Sequence, residues 1–225
     1  MAKLMDWVAQ VEKSHGLVYK RELPQRSADC FVLSFTNKAG EPVHAYVYDE
    51  RITISNTKLK LMFSNFFKCY LALRNVDCPI VKPYNHLRHL QYLGFVFHTP
   101  KKGHLLDVMS KTATLSDDQA MCICIRILQA IDVLYQQKLQ IIYIPIKAML
   151  VDLNEISLDI LDYIMPRDIH PSEVVVLANY MMDTVSKTDI PLLPPEVVLD
   201  KHITYQTGVY SFGVALYTLI EVDEL

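Results

Sequence analysis

Residues 194–222 read PPEVVLDKHITYQTGVYSFGVALYTLIEV, and the interpretation of the whole chain turns on this stretch. A proline pair and a glutamate, Pro194-Pro195-Glu196, are followed by Gly208-Val209-Tyr210-Ser211-Phe212-Gly213-Val214. Residues 204–221 are apolar and continuous enough for a long helix with Gly213 inside it. Upstream, Ser116-Asp117-Asp118-Gln119 has capping-box form and opens a helix, with Cys124, Ile127, Leu128, Ile131, Leu134 and Tyr135 expected on one face. Short strands are expected at 148–151 and 156–160, and a short helix at 173–182.

The first third reads differently. Residues 31–36 are β-prone, Lys38-Ala39-Gly40 is a turn signal, and 42–49 alternates Val43, Ala45 and Val47 against His44, Tyr46 and Tyr48, which predicts a hairpin. Apolar residues at helical spacing predict a helix over 56–75, and 93–98 predicts another strand.

Composition bounds the class. The chain has 225 residues, 51% of them hydrophobic and 21% charged, which favours a globular protein over a disordered one. No apolar run reaches membrane-spanning length, and residues 1–10 lack the apolar core of a signal peptide. Five cysteines without a C-x-x-C pair predict free thiols in a reducing compartment, hence a cytoplasmic protein. Behind the net charge of −3, residues 51–106 carry nine Lys/Arg against Asp77 alone, a net +8, while residues 107–200 carry six against fourteen acids, a net −8. The basic stretch lacks a regular aromatic platform, so nucleic acid is not an expected partner. His86 and His89 lack Cys or carboxylate partners at ligand spacing, so no metal is expected there.

The Pro-Pro-Glu and Gly-Val-Tyr-Ser-Phe-Gly-Val pattern resembles the activation-segment end and central helix of eukaryotic protein kinases, which read Ala-Pro-Glu and Asp-Val-Tyr-Ser-Phe-Gly-Val. Residues 103–107 resemble the segment after the kinase hinge, 127–135 the helix before the catalytic loop, and 150–152 the strand after it. The implied architecture is α+β and bilobal: a small β-rich N-lobe over 1–98 and a mainly helical C-lobe over 99–225, truncated after the central helix. Pro195, Glu196, Gly208, Ser211, Phe212 and Gly213 are its structural motif.

The resemblance also locates the phosphoryl-transfer positions, and those are degenerate. Kinases need a glycine-rich phosphate loop, a strand lysine, a helix glutamate, a catalytic-loop Asp and Asn, and a metal-binding Asp. No glycine lies between Gly16 and Gly40, where the phosphate loop would fall at 25–30. The strand lysine falls at Tyr46 or Tyr48, with no lysine between Lys38 and Lys58. The helix glutamate falls near Lys68 or Cys69, with no acid between Glu50 and Asp77. The catalytic Asp falls at Tyr143 and the metal-binding Asn at Ala148, with no carboxylate between Asp132 and Asp152. Asp162 is the candidate that remains for metal, with Asp159 a second register. Gly208 stands where kinases carry an Asp that braces the catalytic loop, and the arginine partner usual for Glu196 is missing or replaced.

Together these absences imply a pseudokinase: no catalytic residues, no cofactor, and action by protein binding as scaffold, competitor or modulator of an active kinase. The nucleotide cleft, near 97–101, is expected to be filled by Tyr46, Tyr48 and their neighbours. The partner is expected to be an active kinase or a second copy, docking where the central helix lacks cover. The alternative is an atypical ATP-dependent transferase that uses Asp162 to hold magnesium, and a third reading is a structural fragment without a partner.

Overall fold

Leu4, Trp7, Val8 and Val11 recur at helical spacing, and all four are buried. They form the inner stripe of α1 (Ala2–His15), which packs on one face of an antiparallel sheet. In this computed structural model the described residues are 2–27, 30–99, 103–105, 116–145, 148–152, 155–185 and 190–220. They form two compact units, one from Met1–Lys60 with Lys82–Thr99, the other from Leu61–Val81 with Pro100–Leu225.

The first unit holds five strands, β1 (Val18–Ser27), β2 (Cys30–Thr36), β3 (Pro42–Asp49), β4 (Asn85–His89) and β5 (Tyr92–His98), in the order β1-β2-β3-β5-β4. The β2–β3 hairpin closes at Gly40, whose φ of +79° only glycine adopts without cost, and the Asn37 side chain accepts from the Ala39 and Glu41 amides. Along β3 the alternation is clean. Val43, Ala45 and Val47 are fully buried toward α1, while His44, Tyr46 and Tyr48 are half-buried on the other face.

Trp7 sits at the centre of this core, edge-on to Phe35 at 6.4 Å, with its indole N–H donating to the Leu87 carbonyl at 3.4 Å. It lies so close to the sheet that a Cβ on Gly94 would come within 2.3 Å of the indole ring. Gly94 is therefore a packing requirement. Asp49 ends β3 and caps α2 (Glu50–Ser55) by accepting from the Arg51 amide. Burial pushes its carboxyl up, but hydrogen bonds and charge from Arg51, with help from Gln91, more than offset this and hold it below the ordinary range.

The second unit begins within α3 (Thr57–Leu73), whose Phe66, Cys69, Tyr70 and Leu73 are buried. α4 (Asp117–Gln136) opens with the expected capping box, Ser116 and Gln119 bonding reciprocally. Its inner face is Ile123, Cys124, Ile127, Ala130 and Leu134. Leu128 and Tyr135, expected on that face, are exposed, because each sits one residue, about 100°, beyond Ile127 and Leu134. Tyr135 instead lies beneath the Arg167 guanidinium at 3.8 Å.

Two short ribbons follow: β6 (Leu139–Ile141) with β9 (Ile164–Pro166), and β7 (Met149–Asp152) with β8 (Glu155–Leu158). α5 (Pro171–Thr184), α6 (Pro195–Leu199) and α7 (Tyr205–Ile220) complete the unit. Among the described side chains of α7 the buried ones are small, Thr207, Gly208, Ser211 and Ala215, while Val209, Tyr210 and Tyr217 are exposed. No helix among the described residues is long and apolar enough to cross a membrane.

Candidate functional site

Small residues on α7 let the backbone of 141–142 come close. The Ser211 hydroxyl donates to the Ile142 carbonyl at 3.2 Å, and a Cβ on Gly208 would meet Ile141 at an ordinary 3.5 Å. Ile142 in turn donates its amide to the Tyr163 carbonyl at 2.7 Å, so the 141–143 segment is held between α7 and the turn that contains Asp162. Beside Gly208 lies a void of about 10 Å³, room for one water at most.

Within this frame Tyr143 is buried, stacking edge-on to Tyr163 at 5.9 Å, and belongs to an apolar cluster with Ile142, Met165, Leu177 and Met181. Ala148 is also buried, its amide bonded to the Pro145 carbonyl and its carbonyl accepting from the Asp159 amide. Asp162 is half-buried in the single turn Leu161–Tyr163.

α3 reaches the same turn through neutral groups. Asn65 donates to the Ile164 carbonyl at 2.8 Å, and the Cys69 thiol approaches that oxygen at 3.6 Å. Burial pushes the Cys69 thiol up to about 12, so it stays protonated and able to donate. Lys68 points outward and is exposed.

At the Pro-Pro-Glu segment, Pro195 starts α6 and Glu196 is half-buried, accepting from the Thr207 hydroxyl at 2.8 Å. Thr207 also accepts from the Thr204 amide, so it ties the start of α7 to α6. Phe212 is half-buried and Gly213 exposed on α7. In the first unit, Tyr46 lies 4.9 Å from Phe97 and Tyr48 lies 6.1 Å from Phe95, an aromatic layer on the face of β3 away from α1.

The protein kinase domain family model matches residues 54–225, well over half of the sequence. The chain belongs to the protein kinase domain family. Its five-stranded antiparallel sheet followed by helices is the α+β, bilobal kinase arrangement. A search of curated proteins found no match.

Set on the kinase domain, the positions expected from sequence divide in two. Tyr143, Asp162, Gly208 and Ser211 are linked through the 141–143 segment, the Leu161–Tyr163 turn and α7 of the second unit, while Ala148 bonds through its backbone to Pro145 and Asp159. Tyr46 and Tyr48 belong to the first unit's sheet. Residues 28 and 29 of the phosphate-loop stretch, 100–102 near the hinge, and 106 and 107 after it lie outside the described residues.

The donor set bears on the magnesium alternative. Among the described residues no three His, Cys, Asp or Glu side chains gather as a metal site, and Ala148, where the second metal ligand would stand, offers only a methyl group. These residues do not fit the ion. His86 and His89 are three apart on a strand and so face opposite sides of β4.

Asn65 and Thr207 are the residues that sequence reasoning missed. A lone amide on the apolar side of α3, four before Cys69, was the available signal for Asn65. Thr207, next to Gly208 and eleven residues from Glu196, has no local signature.

Proposed function

We propose that this protein is a pseudokinase: a kinase-fold protein that transfers no phosphoryl group and acts by binding another protein, modulating a kinase pathway. The observation that carries the reading is the catalytic-loop segment. The position of the catalytic base is Tyr143, buried in an apolar cluster, and the position of the metal-binding amide is Ala148. Phosphoryl transfer depends on positioned charge, and a buried phenol neither supplies the base nor holds a metal near neutral pH.

The neutral links from α3 support the same reading. Where an active kinase uses an acidic helix residue to hold a lysine, this chain uses Asn65 and Cys69 to hold a backbone carbonyl. The scaffold is thus kept by hydrogen bonds that need no nucleotide and no counter-charge.

Binding to a protein is supported by two apolar stripes in the second unit. Met121, Ile125 and Leu128 on α4 are 47–61% exposed, and Val209, Tyr210 and Tyr217 on α7 are 40–65% exposed. Free Cys30, Cys69, Cys78, Cys122 and Cys124 support a reducing compartment such as the cytoplasm.

The test is incubation of purified protein with γ-labelled ATP and magnesium, alongside a thermal-shift titration of the same pair. We expect no label on the protein or on added substrates, and no rise in melting temperature that Asp162→Ala abolishes. Metal-dependent labelling lost in Asp162→Ala would overturn the proposal and establish the transferase alternative.

A further inference from the structure

Gln140 is out of place. It is 91% buried (relative exposure 9%), and among the described residues its side-chain amide makes no hydrogen bond to the protein. Leu139 and Ile141 line the small void beside Gly208, and Gln140 borders that void and also reaches the other side of the β6–β9 ribbon. On that side it lines a cavity of about 390 Å³, within the range that holds small molecules.

The cavity lies wholly in the second unit and has three walls. Its floor is the β6–β9 ribbon, carrying Gln140 and Arg167. One side is the first turns of α5, with Pro171, Val174 and Val175. The other is the loop after α6, with Lys201 and Ile203. The floor is preorganised: the Arg167 amide bonds to the Lys138 carbonyl, its Nε donates to the Leu139 carbonyl at 3.3 Å, and its guanidinium rests on Tyr135. Lys201 holds a left-handed φ of +53°, a strained value for a side-chain-bearing residue, and its ammonium is anchored to the Val198 carbonyl and the Met182 sulfur. Among the described lining residues the charged groups are Arg167, Lys201 and the exposed Asp200, with His202 beside it.

We propose that this cavity binds a small organic anion, an oxyanion carried on a compact apolar body. Arg167 and the Gln140 amide receive the oxyanion, because a planar guanidinium and a neutral N–H donor both line the cavity. Pro171, Val174 and Ile203 receive the apolar body. None of the positions aligned with phosphoryl transfer lines the cavity, so the site stands whether or not the kinase domain is catalytically silent.

The probes are phenyl phosphate and benzoate, with inorganic phosphate as the charge without the body and benzyl alcohol as the body without the charge. Affinities come from calorimetry, and the Gln140 side-chain amide is followed by ¹⁵N-detected shifts. One of the two aryl anions should bind at least about tenfold tighter than either half-probe and should move the Gln140 amide signals. Whichever anion binds tighter identifies the oxyanion.

Gln140→Leu should weaken that binding about tenfold or more without lowering the melting temperature, since the amide makes no bond within the protein. Val175→Trp, placed on an exposed rim position, should block the cavity and abolish binding while leaving the core intact. Binding of inorganic phosphate or benzyl alcohol as tight as the aryl anions, no binding of either aryl anion, or unchanged affinity in both variants would each overturn the proposal.

Discussion

The two units of this kinase domain differ in what fixes their key segments. The first is closed by bulk: an indole lowered onto a glycine, with the sheet alternating around it. The second has an apolar core of its own and adds neutral hydrogen bonds onto backbone carbonyls, Asn65 to Ile164 and Ser211 to Ile142, with Thr207 joining Glu196. Burial of apolar area supplies most of the stability, while the polar groups fix where a few backbone segments lie.

The bulk side of that comparison carries the largest expected effect. Trp7→Ala empties the centre of the first core and should destabilise it by about 3–5 kcal/mol, with loss of the α1 contact as well. Gly94→Leu attacks the same contact from the sheet, where even a Cβ would lie 2.3 Å from the indole. Chemical denaturation checks both, and the double variant Trp7→Ala/Gly94→Leu should recover part of the loss because the new side chain fills the vacated space. No recovery would mean that the two residues are not one contact.

The polar side should respond less. Asn65→Leu removes the stronger donor from the Ile164 carbonyl and leaves the protonated Cys69 thiol as its remaining partner on α3, which predicts a cost of about 1–3 kcal/mol. Hydrogen exchange should localise the change to β9 and the Leu161–Tyr163 turn, leaving the first unit's sheet protected as before. Uniform loss of protection across both units would remove the distinction between bulk and hydrogen-bond closure.

Legibility in the sequence follows the same division. The β2–β3 hairpin, the capping box before α4 and the long helix α7 were readable, because period, turn residues and caps are local signals. The helix α1 escaped a reading of residues 1–10 for targeting signals, although Leu4, Trp7, Val8 and Val11 carry the helical period. β1 escaped because its Lys20, Arg21 and Glu22 run against any alternation, as tolerated on a strand paired on one side only. Tyr143 and Ala148 were identified by their distance from residues 150–152, but that Tyr143 packs into an apolar cluster depends on residues more than twenty positions away. The Gln140 cavity was invisible for the same reason: its walls come from three separate segments.

Gly208 tests the comparison at its finest grain, because it lies where bulk and hydrogen bonding meet. It stands where the kinase resemblance places an aspartate, sits inside α7, and borders the void of about 10 Å³. A Cβ there meets the Ile141 Cβ at 3.5 Å and the Ile141 carbonyl oxygen at 3.6 Å, both ordinary contacts. Gly208→Ala should therefore stabilise the protein by about 0.5–1 kcal/mol, through helix propensity and reduced freedom of the unfolded chain. Gly208→Asp should not share the gain, since the nearest backbone polar atom is an acceptor and the Ile142 amide already donates to Tyr163. Thermal unfolding of the pair decides the matter by sign. Alanine above aspartate means the catalytic-loop backbone no longer needs a carboxylate brace; aspartate above alanine means the brace still has donors to hold.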